Sequence, residues 1–228
     1  MEDRELKIES GKLLKIGLAA SFALSLVTGN AVSVLATPKI ETNKVESDIY
    51  PKPQKVVYAS DKGMTLSGEV NVVIHGQQEE ATLPKLEEML KENNINYHIS
   101  EELDEQKANI LISSSKDHCD VCSNDDDALT KAEGYVLKTS DEINVNGEIS
   151  IIGSDKDGAY YGVETLGQIL SQKVGERFAE LTISDYPEIE FRGFIEGFYG
   201  IPWTHEERIS LMKDTSKYKM NTYIYAPK

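Results

Sequence analysis

A chain of 228 residues, 39% hydrophobic and 28% charged, has room for one large domain or two small ones and the composition of a globular chain with a core of its own. Its formal net charge of -15, from 39 acidic and 24 basic side chains, argues against a nucleic acid partner, because phosphate binding needs clustered Lys and Arg. The same charge suits a soluble exported protein acting on a neutral or weakly charged substrate.

The first 36 residues stand apart from the fold. Lys12 and Lys15 precede an uncharged run from Ile16 to Val27, and Val34-Leu35-Ala36 offers a small-residue cleavage site. Residues 1–36 therefore read as a secretory signal peptide. A buried or membrane-spanning helix is the alternative. The uncharged stretch to Ala36 is long enough to span, but Thr28, Gly29, Asn30 and Ser33 make its second half polar. The expectation is a secreted, extracellular protein with no stable membrane span after the signal is removed. Residues 37–53 hold three prolines and little periodic pattern, and read as a linker.

From Gln54 the chain alternates strand-like and helix-like pieces. Lys55–Ala59 and Glu69–Ile74 are short and β-branched, as strands prefer. Ala81–Asn93 sets Leu83, Leu86, Met89 and Leu90 at helical spacing. Strands follow at Asn96–Ile99 and Asn109–Ser113. Three more are expected at Gly134–Thr139, Glu142–Val145 and Glu148–Ile152, with Asn146-Gly147 as a hairpin signal between the last two. Asp155–Leu170 reads as an amphipathic helix with Tyr160, Val163, Leu166, Ile169 and Leu170 on one side, and Glu180–Ser184 as a closing strand. The implied unit, residues 54–187, is an α+β domain: a mostly antiparallel sheet with a helix pair on one face.

Ser114–Glu133 interrupts this domain with a polar, Asp-rich insertion that lacks the spacing and turn glycine of a calcium loop. It carries His118, Cys119 and Cys122. These supply at most three zinc ligands, so a local disulfide or a pair of idle thiols is preferred over a metal site. A redox role fits poorly, because the pair does not lie at a strand-to-helix junction. No cofactor and no metal are expected.

At Pro187 the character changes. Glu190–Phe198 is a glycine-studded strand pattern, Thr204 to Glu207 fits a capping box, and Leu211, Met212, Thr215 and Tyr218 give the following helix an apolar stripe. Asn221–Ala226 is a second strand. Strand, helix and strand within about 30 residues is the repeat of a parallel sheet or barrel, with working residues at the strand C-termini. Gly197, Tyr199 and Lys228 lie there. Taken alone, Gly197 is either a close-approach position or a tight turn, and Lys228 either a donor into a pocket or an exposed lysine.

The whole string RGFIEGFYGIPWTHEERISLMKDTSKYKMNTYIYAPK, Arg192 to Lys228, resembles the opening of the catalytic barrel in glycoside hydrolase family 84. Residues 54–187 look like the α+β domain that precedes the barrel in families 20 and 84. The resemblance implies a (β/α)8 barrel begun at residues 188–228 and left incomplete, since a full barrel needs about 250 residues. It implies a secreted β-N-acetylglucosaminidase or hyaluronidase acting on an N-acetylglucosamine-containing glycan or glycoconjugate. The substrate's own 2-acetamido oxygen would form an oxazoline, the substrate-assisted exception among retaining glycosidases. Gly197 and Lys228 match the family's substrate-binding positions. Its catalytic aspartate pair belongs beyond Lys228, so the expectation is an N-terminal fragment that is inactive alone. A non-catalytic, exported carbohydrate-binding or interaction module is the alternative, and a metal-binding module on His118, Cys119 and Cys122 a third.

Overall fold

A computed structural model describes residues 44–75, 81–114, 126–142, 144, 146–197 and 201–225. Seven strands form the first sheet: β1 (Lys55–Met64), β2 (Val70–His75), β3 (Tyr97–Ser100), β4 (Ala108–Ser113), β5 (Tyr135–Ser140), β6 (Glu148–Gly153) and β7 (Phe178–Asp185). Two helices belong with it, α1 (Thr82–Glu92) and α2 (Lys156–Ser171). The strand order is β1-β7-β5-β6-β4-β2-β3.

The sheet is mixed rather than mostly antiparallel. β2 pairs in parallel with both β3 and β4, and β4 pairs in parallel with β6. The antiparallel pairs are β5 with β6, β5 with β7, and β1 with β7. α1 provides the crossover that parallel neighbours β2 and β3 need. Among the described residues of 141–147 there is no strand at Glu142–Val145. That segment is the connection of a β5–β6 hairpin, and Asn146-Gly147 marks its end instead of a two-residue turn.

Alternation along the strands sends one set of side chains to each face. Val70, Val72, Ile110, Ile112, Ile149, Ile151, Leu137, Leu181 and Ile183 meet Leu86 and Leu90 of α1 and Val163, Leu166 and Ile169 of α2 in one core. A smaller cluster of Leu129, Val136 and Ile152 covers the other face. The expected helix pair on one face of an α+β sheet is present. Residues 44–53 also take part, for Val45, Ile49 and Pro53 are buried, and the Asp48 and Tyr50 amides donate to Gln172 and Gln168 of α2.

Asp155 caps α2, accepting the Gly158 amide at 2.8 Å on one oxygen and the Glu133 amide at 2.9 Å on the other. α2 is buried on more than one side. Besides its core stripe, Thr165 is buried with its hydroxyl 2.7 Å from that of Tyr135, and Glu164 is buried beneath a second layer, where it accepts the Ser216 hydroxyl at 3.2 Å. That layer is a strand–helix–strand unit: β8 (Gly193–Glu196), α3 (His205–Ser216) and β9 (Thr222–Tyr225), with β8 and β9 parallel. The capping box at Thr204 and Glu207 is formed in both directions. Leu211, Met212 and Thr215 are only half-buried, and no residue of α3 is fully buried. No described helix is long and apolar enough to cross a membrane.

Candidate functional site

The site is built at the paired ends of β8 and β9. Their register runs from Gly193 opposite Thr222 to Glu196 opposite Tyr225. Gly193 is required by close approach, since a Cβ there would fall 1.6 Å from the Thr222 carbonyl oxygen. Phe194 packs against Tyr223 at 5.0 Å between ring centroids and against Trp203 at 6.3 Å. This face carries α3, through Arg208. Ile195 and Ile224 point to the opposite face, and Ile195 is 65% exposed.

Glu196 is the most constrained side chain of the unit, only 4% exposed. Arg208 donates to it twice, Nε to Oε2 at 2.6 Å and a terminal nitrogen to Oε1 at 2.8 Å, a bidentate fork. The Trp203 amide donates to Oε1 at 3.2 Å, and the Tyr223 hydroxyl donates to Oε2. Arg208, and after it these other donors, hold the carboxyl down at about 2 against the cost of burial. The same contacts raise Arg208, while burial and Glu196 raise the Tyr223 phenol. Such a carboxylate stays ionised at neutral pH and keeps its lone pairs occupied. It is a structural anchor, not a proton donor.

A second polar cluster joins this unit to the seven-stranded domain. Lys219 lies just before β9 with a φ of 60° and is 6% exposed. Its ammonium donates to Asp185 at the end of β7, 2.7 Å away, and to the Tyr135 hydroxyl at 2.8 Å. Burial pushes the Lys219 amine down and the Asp185 carboxylate pushes it back up, with the net direction downward. Desolvation first, then Asp185, raises the Tyr135 phenol. Arg192 spans the same seam. It donates to Glu133 Oε2 at 2.6 Å and to the Lys219 carbonyl at 2.9 Å, with its guanidinium 5.5 Å from the Tyr161 ring centre.

Gly197 directly follows Glu196 at the C-terminal end of β8. It is exposed, and a Cβ built there meets nothing within 4 Å. Lys228 and Tyr199 lie outside the described residues, as do His118, Cys119 and Cys122. No group of three or more His, Cys, Asp or Glu suited to a metal occurs among the described residues. The sequence reading gave no role to Glu196, Arg208, Tyr223, Lys219 or Asp185. Glu196 and Arg208 are 12 residues apart and Glu196 and Tyr223 are 27 apart, separations with no periodic signature.

A seven-stranded mixed sheet backed by two helices and leading into a strand–helix–strand unit is an architecture shared with glycosidases. Residues 46–186 match the family model described as glycosyl hydrolase family 20, domain 2, over more than half of the chain, and the chain belongs to that family. The solved structure of an exo-β-N-acetylglucosaminidase of family 20 from Vibrio harveyi shares the fold, with 21% identity over 78% of this chain and 25% of that one at a TM-score of 0.59.

The nearer likeness is to glycoside hydrolase family 84, as the Arg192–Lys228 string implies. Residues 192–228 match a model described as beta-N-acetylglucosaminidase. The structure of CpGH84D is 36% identical over 80% of this chain and 31% of that one, with a TM-score of 0.71. CpGH84B is 33% identical over 80% and 30%, with a TM-score of 0.62. Protein O-GlcNAcase of Rattus norvegicus is 53% identical over 36 residues, 16% of this chain and 4% of that protein. The chain is family 84-like, and spans under a third of the structures and a small fraction of the curated relatives it matches.

Proposed function

We propose that this chain is the N-terminal part of a secreted β-N-acetylglucosaminidase or hyaluronidase, and that it contributes the first sugar-contacting strand of a (β/α)8 barrel. The observation that carries this reading is Gly197: an exposed glycine with open space around it, at the C-terminal end of β8. Active sites of βα barrels gather at such strand ends, and the family string assigns this position to the sugar. Lys228 is the second proposed contact, through its ammonium.

The chemistry follows from the substrate. The oxygen of the 2-acetamido group attacks the anomeric carbon, the bond to the leaving oxygen breaks, and an acid delivers the proton that oxygen needs. Water then opens the oxazoline with retention. Glu196 is unsuited to the acid's part, since Arg208 keeps it ionised. The resemblance of Arg192–Lys228 to family 84 implies an adjacent aspartate pair for that work. The charge of -15 favours a neutral N-acetylglucosamine unit over a densely anionic ligand.

The test is a titration of the 228-residue chain with N-acetylglucosamine followed by ¹H–¹⁵N spectra. The expected outcome is a saturable shift at Gly197. Saturation with no response there would overturn the sugar-contact reading.

A further inference from the structure

Gly197 follows β8, and Trp203 is the residue before the Thr204 cap of α3. Both are tied to one carboxylate. Glu196 is covalently next to Gly197, and its Oε1 accepts the Trp203 amide. Its two oxygens also receive Arg208 from α3 and Tyr223 from β9. Three elements thus converge on one side chain beside the proposed sugar contact.

A buried ion pair is a poor way to gain stability, because well-packed apolar residues of similar volume serve as well or better. What the charged fork adds is direction. A bidentate guanidinium fixes the carboxylate plane, and Tyr223 and the Trp203 amide fix it from two other sides. A residue with its side chain so held has little freedom in its own backbone, and the planar peptide it shares with Gly197 carries that restraint to the Gly197 amide. Glycine cannot position itself, having no side chain to pack.

We propose that Glu196, clamped by Arg208 and Tyr223, is the positioning residue that sets the backbone of Gly197 and Trp203 at the sugar-facing end of β8. This deepens the reading of Gly197 as a sugar contact and rests on it only for the identity of the ligand. Among the described residues, Arg208 of α3 and Tyr223 of β9 are the charged and titratable groups facing Glu196, with the guanidinium 4.8 Å from the Tyr225 ring centre.

The experiment uses ¹H–¹⁵N spectra of the whole chain between pH 7 and pH 2, with and without N-acetylglucosamine. In the parent chain the Gly197 and Trp203 amides should hold their shifts until the pH nears about 2, where Glu196 titrates. In Arg208→Lys the same amides should titrate in the ordinary carboxylate range. In Glu196→Gln the titration should vanish, the Trp203 amide should exchange with solvent about tenfold faster or more, and sugar affinity should fall by a similar factor. Tyr223→Phe removes one donor only and should give an intermediate result in a folded chain. Unchanged Gly197 and Trp203 amides in both Glu196→Gln and Tyr223→Phe would overturn the proposal. If the parent chain ignores the sugar, the functional reading alone fails, and the pH profiles still decide the positioning role.

Discussion

Lys219 and Asp185, 34 residues apart in sequence, meet as a buried ion pair with the ammonium nitrogen 2.7 Å from Oδ2. Tyr135 completes the contact by accepting from Lys219 and donating to Asp185 at 3.1 Å. The pair ties the start of β9 to the end of β7, so the strand–helix–strand unit is held to the domain by a desolvated charge.

Removing one partner of such a pair leaves the other charge buried, which costs about 3–5 kcal/mol. Lys219→Met should lower the urea unfolding free energy by that order. Adding Asp185→Asn should recover part of the loss. A change in the single variant below about 1 kcal/mol would show that the pair does not hold the seam.

Two glycines four residues apart should respond in opposite ways to alanine. Gly193→Ala puts a methyl group against the Thr222 carbonyl and should break the β8–β9 pairing, with a loss above about 2 kcal/mol. Gly197→Ala meets open space and should leave Tm within about a degree or two of the parent, in keeping with a surface change. Its effect should appear in sugar titration instead. Thermal melts of the two variants side by side make the comparison.

The Tyr160 phenol donates to Glu164 at 3.0 Å, and burial first, then the Glu164 charge, raises its pKa to about 12. The folded value lies above the unfolded value of about 10. This contribution to stability is therefore complete below pH 10 and is lost as pH rises through 12. Alkaline difference spectra of the parent against Tyr160→Phe should show one tyrosine that ionises late. The parent's extra stability should fade over the same window.

The chain should show no turnover of a chromogenic N-acetylglucosaminide. The carboxylate beside Gly197 belongs to Glu196, and Arg208 holds it ionised. Measurable hydrolysis by the purified 228 residues, lost in Glu196→Gln, would mean that the clamp opens and that the acid is Glu196.

Local features were legible in the sequence where local physics governs them. The capping box at Thr204 and Glu207 closes as its spacing requires, because both bonds lie within one turn. Asp155 caps α2 for the same reason. The Leu86, Met89 and Leu90 stripe of α1 faces the core, as period 3.6 demands. The Asn146-Gly147 pair punctuates the chain but does not form a two-residue hairpin. The connection from Ser140 to Glu148 is longer, and the β5–β6 register is set by the strands. Parallel pairing of β2 with β3 and β4 leaves no local mark, since it depends on a crossover closing over distance.

The sequence by itself determined where both helices of the sheet domain, α3 and most of the strands form and, through the string from Arg192 to Lys228, the family 84 likeness. Both are written in residues that are neighbours along the chain. Only the tertiary structure decided that Glu196 is a clamped anchor and that Lys219 is sealed against Asp185. Those contacts join residues 12, 27 and 34 positions apart. Their energetics depend on burial, which no spacing encodes.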